Sequence, residues 1–247
     1  MRLKKATGTY TAYAGVYDSF KGDRSETIRL LASLIRKHHP EAKTLLDLAC
    51  GTGGIAQGLI DSYELVGLDN APAMLRLARE KLPHTPLLLA NMVDFKIKQK
   101  FDVIYCLHNS VNHILTFHEW QSMFTNVAAH LNKNGIFIFD INPIEKMDEL
   151  AQSGPFVTQV RQDYVITQVT KDAIESGLYD WGVKIFSRHR GNNFLLHDEI
   201  IKVSSHPLDQ VSHALMNNFD IVDFFILNQA DKSEDIGRAY YVGLANQ

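Results

Sequence analysis

Two hydrophobic rhythms alternate along the first 140 positions of this chain. Short, mostly apolar runs at 44–48, 64–68, 86–90, 101–107 and 136–140 have the pattern of strands buried on both faces. Between them, apolar residues fall three and four apart: Ile28, Leu31, Leu34 and Ile35; Ile55, Ala56, Leu59 and Ile60; Met74, Leu75, Ala78 and Leu82. A fourth set, Trp120, Met123, Phe124, Val127 and Leu131, has the same spacing, and each set predicts a helix with one inward face. Asp23 with Glu26, and Thr116 with Glu119, read as capping pairs, and Pro72 suits a first helical turn. The aromatic-rich stretch 11–20 predicts a short helix ahead of these. Strands alternating with helices predict a parallel sheet covered on both faces, with right-handed crossovers.

The rhythm changes after Pro143. From 156 to 204 apolar residues alternate, as in Val160, Tyr164 and Ile166, then Val183, Ile185 and Phe186, then Ile200, Ile201 and Val203. Gly177, Gly182 and Gly191-Asn192-Asn193 supply turns, so a small antiparallel sheet is expected as an insertion. A helix at 207–217 and strands at 219–228 and 238–245 close the frame. The expected organisation is a helical cap at 1–40, a core at 41–142, the inserted sheet at 143–206 and a closing unit at 207–247. The insertion would either cover a substrate or pair two subunits into a homodimer.

With 247 residues, 45% of them apolar and 21% charged, the chain can bury a large core, which excludes disordered and collagen-like classes. There is no apolar run of 18 residues, so no membrane-spanning helix is expected. The basic start has no apolar region behind it, so it does not read as a secretory signal. Two cysteines, Cys50 and Cys106, make neither a disulfide framework nor a zinc site, and the eleven histidines show no ligand spacing. A reducing, cytoplasmic setting and no metal are the expectations. Lys and Arg number 25 against 28 Asp and Glu, a net charge of −3 that disfavours nucleic acid as a partner.

The most informative stretch is Ala49-Cys50-Gly51-Thr52-Gly53-Gly54, between a buried strand and an expected helix. Glycines let the backbone turn tightly and approach a ligand, and a helix start presents free N–H groups. Gly51-x-Gly53-x-x-Ala56, with Asp69 beyond it, matches the dinucleotide fingerprint, so a nicotinamide-linked oxidoreductase is one reading. Three features favour another. Asp47 lies inside the strand, where it suits a cationic ligand better than a pyrophosphate. About forty residues precede the first strand, and polar residues (Asn91, then His108-Asn109-Ser110) follow the third and fourth.

Taken in order, LLDLACGTGG, GLDNAPAMLRLAR, ANMVDF, FDVIYCLHNSVNHI and LNKNGIFIFD resemble the motif series of class I S-adenosylmethionine-dependent methyltransferases over residues 44–140. AYAGVYDSF and GRAYYVGLANQ, with the mid-chain insertion, add a resemblance to small-molecule N-methyltransferases, notably those acting on nucleotide-linked amino sugars. The resemblance implies a Rossmann-like seven-stranded mixed sheet with helices on both faces, plus the inserted antiparallel sheet. It implies S-adenosylmethionine as cofactor, S-adenosylhomocysteine as product and a small-molecule acceptor. By position, Ala49 and Gly51 would receive the methionine part through their backbone, and Asp69 both ribose hydroxyls. Asn70 and Met74 would line the adenine. Asn91, where the family often has Asp, would accept from its amino group, and the Met92 backbone would meet the ring. Leu107 and His108 would close the methionine side; Tyr17 and Arg24 would cover the cofactor and pair with its carboxylate.

Methyl transfer from a sulfonium is an in-line displacement, so positioning dominates, and Tyr13 or Tyr17 offers an aromatic face to the sulfonium. An ammonium nucleophile must first lose a proton, for which His108 and His113 are the catalytic candidates by location. The loop after the fourth strand lacks the [ND]-P-P-[YF] of exocyclic-amine and protein-glutamine enzymes, Asn142-Pro143 following another strand, and there is no Pro-Cys pair. A small molecule is what remains, with Tyr164, Tyr179, Trp181 and Phe186 of the insertion as pocket candidates. The alternative is a protein that binds the cofactor but has lost catalysis.

Overall fold

The computed structural model describes residues 10, 12–189, 191, 193–228 and 237–246; positions 1–9 of the expected helical cap, 11, and Asn192 of the expected turn lie outside them. The strands are β1 (Thr44–Leu48), β2 (Glu64–Asp69), β3 (Leu87–Leu89), β4 (Phe101–Cys106), β5 (Leu131–Ile141), β6 (Phe156–Val160), β7 (Asp163–Lys171), β8 (Leu178–Arg188), β9 (Phe194–Ser204), β10 (Phe219–Leu227) and β11 (Arg238–Ala245). The helices are α1 (Ala14–Lys21), α2 (Ser25–His38), α3 (Pro72–Lys81), α4 (Phe117–Ala129), α5 (Ile144–Gln152) and α6 (Leu208–Met216).

Seven strands form one mixed sheet in the order β10-β11-β5-β4-β1-β2-β3. The pairings among β1 to β5 are parallel, whereas β11 runs antiparallel to both β5 and β10. The unbroken apolar runs are explained by burial on both sides. In β5, Phe137 and Phe139 face the core under α4 and α6, while Ile136 and Ile138 face the one under α2. The order jumps outward in both directions from β1 and β4, which opens a crevice at their carboxyl ends. The Rossmann-like mixed sheet with an added antiparallel sheet is therefore the observed architecture.

Several elements differ from expectation. The helix expected from Ile55 to Ile60 is reduced to one 3-10 turn, Ala56–Gly58. Glycines at 53, 54 and 58 weaken a helix there, and Gly58 is needed for close packing, since a Cβ would lie 2.7 Å from Ile28 Cδ1. β3 is an edge strand with Leu88 and Leu89 exposed, so it is not buried. Helix α2 has no capping box: Asp23 bonds the backbone and hydroxyl of Ser25, and Glu26 takes no part in the cap. The Thr116–Glu119 box at α4 is present in both directions. Helix α5 was not anticipated, although Ile144, Met147, Leu150 and Ala151 give it an apolar face.

Strands β6-β7-β8-β9 form the separate antiparallel sheet. Its inner face, including Val165, Val183, Ile185 and Ile201, packs on α5 and on Tyr13 and Val16 of the N-terminal segment. Glu199 of β9 fastens that segment by accepting from the Ala12 N–H at 2.8 Å. Among the described residues no helix is long and apolar enough to cross a membrane.

Candidate functional site

The site is built where β1 and β2 end. Beyond Leu48 the backbone enters the left-handed region at Ala49 (φ 58°), Gly51 (φ 55°) and Gly53 (φ 74°). For Ala49 this is strained, and such strain is retained where the fold over-determines it. Gly53 is required twice over: its φ favours glycine, and a Cβ would lie 2.6 Å from Leu82 Cδ1. Asp69, the last residue of β2, is 7% exposed. Its Oδ2 accepts from the Gly51 N–H at 2.7 Å, and its Oδ1 accepts from the Ala71 N–H at 2.8 Å. Burial raises the Asp69 pKa, and these amide bonds counter it only in part.

Helices α1 and α2 roof this loop. Asp18 accepts from Arg24 at 2.9 Å and from the Thr52 hydroxyl at 2.6 Å, and it also pairs with Lys81. One carboxylate thus ties the N-terminal helix to the glycine loop and to α3. Arg24 fits because Gly54 has no side chain; a Cβ there would collide with the guanidinium. The guanidinium also lies 5.6 Å from the Tyr17 ring centroid. Beneath it, Tyr17, Arg24, Asp47, Ala49, Gly51, Leu107 and His108 line a small recess. Asp47 is 3% exposed there, and burial raises its pKa well above the ordinary range.

The recess adjoins a cavity of about 950 Å³. Of the residues expected from sequence, Tyr17, Ala49, Gly51, Asp69, Asn70, Met74, Met92, His108 and His113 line it. Arg24 and Leu107 line only the recess. Asn91 lines neither: it is exposed, and its Oδ1 accepts from the Val93 N–H at 3.0 Å in a local turn. The expected role for its amide oxygen therefore has no support in the geometry. Of the aromatic candidates on the insertion, Trp181 alone lines the cavity. Tyr179 is buried with its hydroxyl on Asp148, and Tyr164 packs beside Phe194. Tyr13 is likewise buried, edge-on to Trp181 at 5.6 Å.

His108 and His113 follow β4, and His108 has a positive φ of 62°. Burial, reinforced by the nearby charge of Lys21, lowers their pKa values to about 3 and about 4, so both are neutral at pH 7. His113 Nε2 is hydrogen-bonded to Tyr10 Oη at 2.9 Å. Tyr10, Lys21 and Asn109 line the cavity as well; Asn109 was expected at this strand end without a stated role, and Tyr10 and Lys21 were not among the expected site residues. Tyr10 lies just ahead of the aromatic stretch that marked this region, and Lys21 just behind it, so a wider window would have found both. Among the described residues no cluster of three His, Cys, Asp or Glu side chains is placed to hold a metal.

Residues 45–135 match the family model described as a methyltransferase domain. The stretch therefore carries a methyltransferase domain. A 111-residue match, 35% identical, covers 44% of this chain and 44% of the dTDP-3-amino-3,6-dideoxy-alpha-D-glucopyranose N,N-dimethyltransferase of Streptomyces fradiae. A second, 32% identical over 133 residues, covers 52% of this chain and 56% of the dTDP-3-amino-3,4,6-trideoxy-alpha-D-glucopyranose N,N-dimethyltransferase of Streptomyces venezuelae. The chain thus matches about half the length of these relatives. The fold likeness is wider: an S-adenosylmethionine-dependent methyltransferase from Clostridium acetobutylicum superposes with a TM-score of 0.83 at 22% identity, covering 97% of this chain and 100% of that one. An amino pentose methyltransferase from Micromonospora echinaspora, solved with S-adenosylmethionine bound, superposes at 0.75 with 19% identity over the full length of both. The methyltransferase domain holds the glycine loop and Asp69, while the roof and the antiparallel sheet lie outside it.

Proposed function

We propose that this chain is a methyltransferase that takes its methyl group from S-adenosylmethionine and gives it to a small-molecule acceptor by in-line displacement, with an amine nitrogen as nucleophile. The observation that carries the reading is Asp69, a nearly buried carboxylate at the end of β2, tied to the Gly51 amide and lining the large cavity.

The residues present fit that cofactor. Each Asp69 oxygen accepts one backbone N–H and keeps a lone pair for a ribose hydroxyl. Donors at those positions relieve the penalty of burying the charge. Met74 and Met92 supply apolar walls beside Asn70 for a purine. In the recess, Arg24 suits the carboxylate of an amino-acid end and Asp47 its ammonium. When bound, S-adenosylmethionine supplies a methyl group made electrophilic by its sulfonium. The chain's own contribution is then orientation and exclusion of water. Tyr17 offers an aromatic face to a positive charge. His113 stays neutral, and held by Tyr10 it offers a ring nitrogen to orient an acceptor amine. A nitrogen that weakly basic positions the amine rather than draining its proton. Trp181, Leu196 and Ile200 bring the antiparallel sheet to the same cavity, which supports its role as the acceptor cap.

The names of the relatives, which act on sugar amines, support nitrogen as the nucleophile. The test is to incubate the purified protein with S-adenosylmethionine and a panel of amino sugars and simple primary and secondary amines. Acceptor-dependent release of S-adenosylhomocysteine, with a product heavier by one methylene, is expected. Equal release from hydroxyl or carboxylate acceptors would contradict the choice of nitrogen.

A further inference from the structure

Strand β8 carries Gly182 near its centre, and a glycine inside a strand weakens it. None of the usual structural reasons for one applies. Its φ lies outside the left-handed region. Its pairings with Gln168 of β7 and Ile200 of β9 run through in unbroken register, so there is no bulge. Packing does not demand it either: a Cβ would meet one atom within 4 Å, the Gln168 carbonyl oxygen at 3.6 Å, which is an ordinary contact. The fold accepts a larger residue here, and what glycine leaves is open space.

That space belongs to the wall of the large cavity. Leu196, Asp198, Ile200 and Lys202, alternate residues on one face of β9, line the cavity together with Asp180 of β8. Gly182 shares that face with Asp180 and lies directly opposite Ile200. The rungs on either side are cross-strand ion pairs, Asp180 with Lys202 at 2.9 Å and Lys184 with Asp198 at 2.6 Å. Each charge is matched on its own wall, so the notch between the pairs calls for no ion. Leu196 is 54% exposed on the same face, and Leu115, which also lines the cavity, is 37% exposed. Apolar side chains left wet on a cavity wall favour an apolar occupant, because covering them removes that surface from water.

We infer that the acceptor amine carries an uncharged hydrocarbon group, a ring or a chain, that seats over Gly182 against Ile200. The inference rests on the methyl-transfer reading and adds to it the chemical class of the group that the antiparallel sheet selects. Gly182 is thereby a specificity-determining position, acting through the side chain it lacks.

The experiment uses the full chain saturated with S-adenosylhomocysteine and titrated at constant pH and ionic strength with propylamine, butylamine and hexylamine in turn. Affinity is expected to rise about fourfold per added methylene, the value of burying one. In Gly182→Val, hexylamine affinity is expected to fall at least tenfold and propylamine affinity to stay within threefold of wild type. S-adenosylhomocysteine affinity should be unchanged in that variant, and its urea midpoint not lowered. Ile200→Ser, which shortens the opposite wall, should flatten the dependence on chain length. No hexylamine binding, affinity independent of chain length in wild type, equal hexylamine affinity in Gly182→Val, or an undiminished dependence in Ile200→Ser would each overturn the inference. So would a lowered urea midpoint in Gly182→Val, which would make the glycine a requirement of the fold. Dissociation of an oligomer in either variant, read by light scattering, would assign the face to a second copy and overturn it as well. Failure of the wild-type protein to bind S-adenosylhomocysteine at all would instead overturn the methyl-transfer reading beneath it.

Discussion

The amide of Gly51 donates to Oδ2 of Asp69 across 2.7 Å, joining the loop after β1 to the end of β2. The two residues are 18 positions apart, yet the parallel register of β1 and β2, with Leu48 opposite Leu68, brings their strand ends level. A single carboxylate therefore both holds the glycine loop in its left-handed path and faces the cavity. Replacing it should register in binding and in loop geometry together.

On the proposed placement, Asp69→Ala removes the acceptor for two ribose hydroxyls. Each lost charge-assisted bond is worth about 1.5–3 kcal/mol, so affinity for S-adenosylhomocysteine should fall roughly tenfold to a hundredfold or more per bond. Asp69→Asn keeps one acceptor oxygen and should lose less. Calorimetric titration of both variants checks this; unchanged affinity would move the ribose elsewhere.

Glycine substitutions separate necessity from coincidence. Gly53→Ala meets both a positive φ and the Leu82 side chain, and should lower unfolding free energy by about 1–3 kcal/mol in urea denaturation. Gly15→Ala, inside α1 with nothing within 4 Å of the added Cβ, should raise it by about 0.4–1 kcal/mol. Equal effects at both positions would contradict the account of the loop.

His113 gives stability a pH dependence of defined sign. Its pKa is about 4 in the fold against an ordinary 6.5, so the unfolded chain takes up a proton that the folded one refuses. The stability it contributes is complete above pH 6.5 and is lost as pH falls toward 4. His108, lowered to about 3, acts in the same sense. The raised pKa of Asp69 acts oppositely, its contribution being lost as pH rises, so the comparison must be between variants. Between pH 7 and pH 5, wild type should lose about 1–2 kcal/mol more than His113→Gln in urea unfolding. Identical losses would mean that the ring is solvated.

At α4, Thr116→Ala removes the hydroxyl that accepts from the Glu119 N–H. A stability loss of about 1 kcal/mol, read as a lower urea midpoint, is expected.

The core was the most legible part of the chain because burial on both faces leaves continuous apolar runs, as in Ile136-Phe137-Ile138-Phe139, where adjacent residues face opposite ways. The alternation at 156–204 was readable in part, since that sheet packs on one face: Val183, Ile185, Ile201 and Val203 are buried as read, but in β7 the buried residues are Val165 and Val169 rather than Tyr164 and Ile166. What failed has local causes. The run Ile55 to Ile60 has helical spacing, but the close approach of Ile28 to Gly58 limits it to one turn. The cavity residues near the glycine loop were found because Asp69, Met74 and Met92 sit at strand ends or helix starts. Tyr10 was missed because its partner, His113, is 103 positions away and meets it only through the roof. Asn91 was placed at the right strand end, but its side chain closes a turn instead.

The central claim is that the crevice at the ends of β1, β2 and β4 holds a sulfonium nucleoside. Parallel isothermal titrations with S-adenosylmethionine, S-adenosylhomocysteine and NAD test it most directly. Micromolar binding of both sulfur nucleosides, with no heat from NAD, is the predicted result. Tight NAD binding with none from the sulfur nucleosides would contradict it and return Gly51-x-Gly53 to the dinucleotide reading.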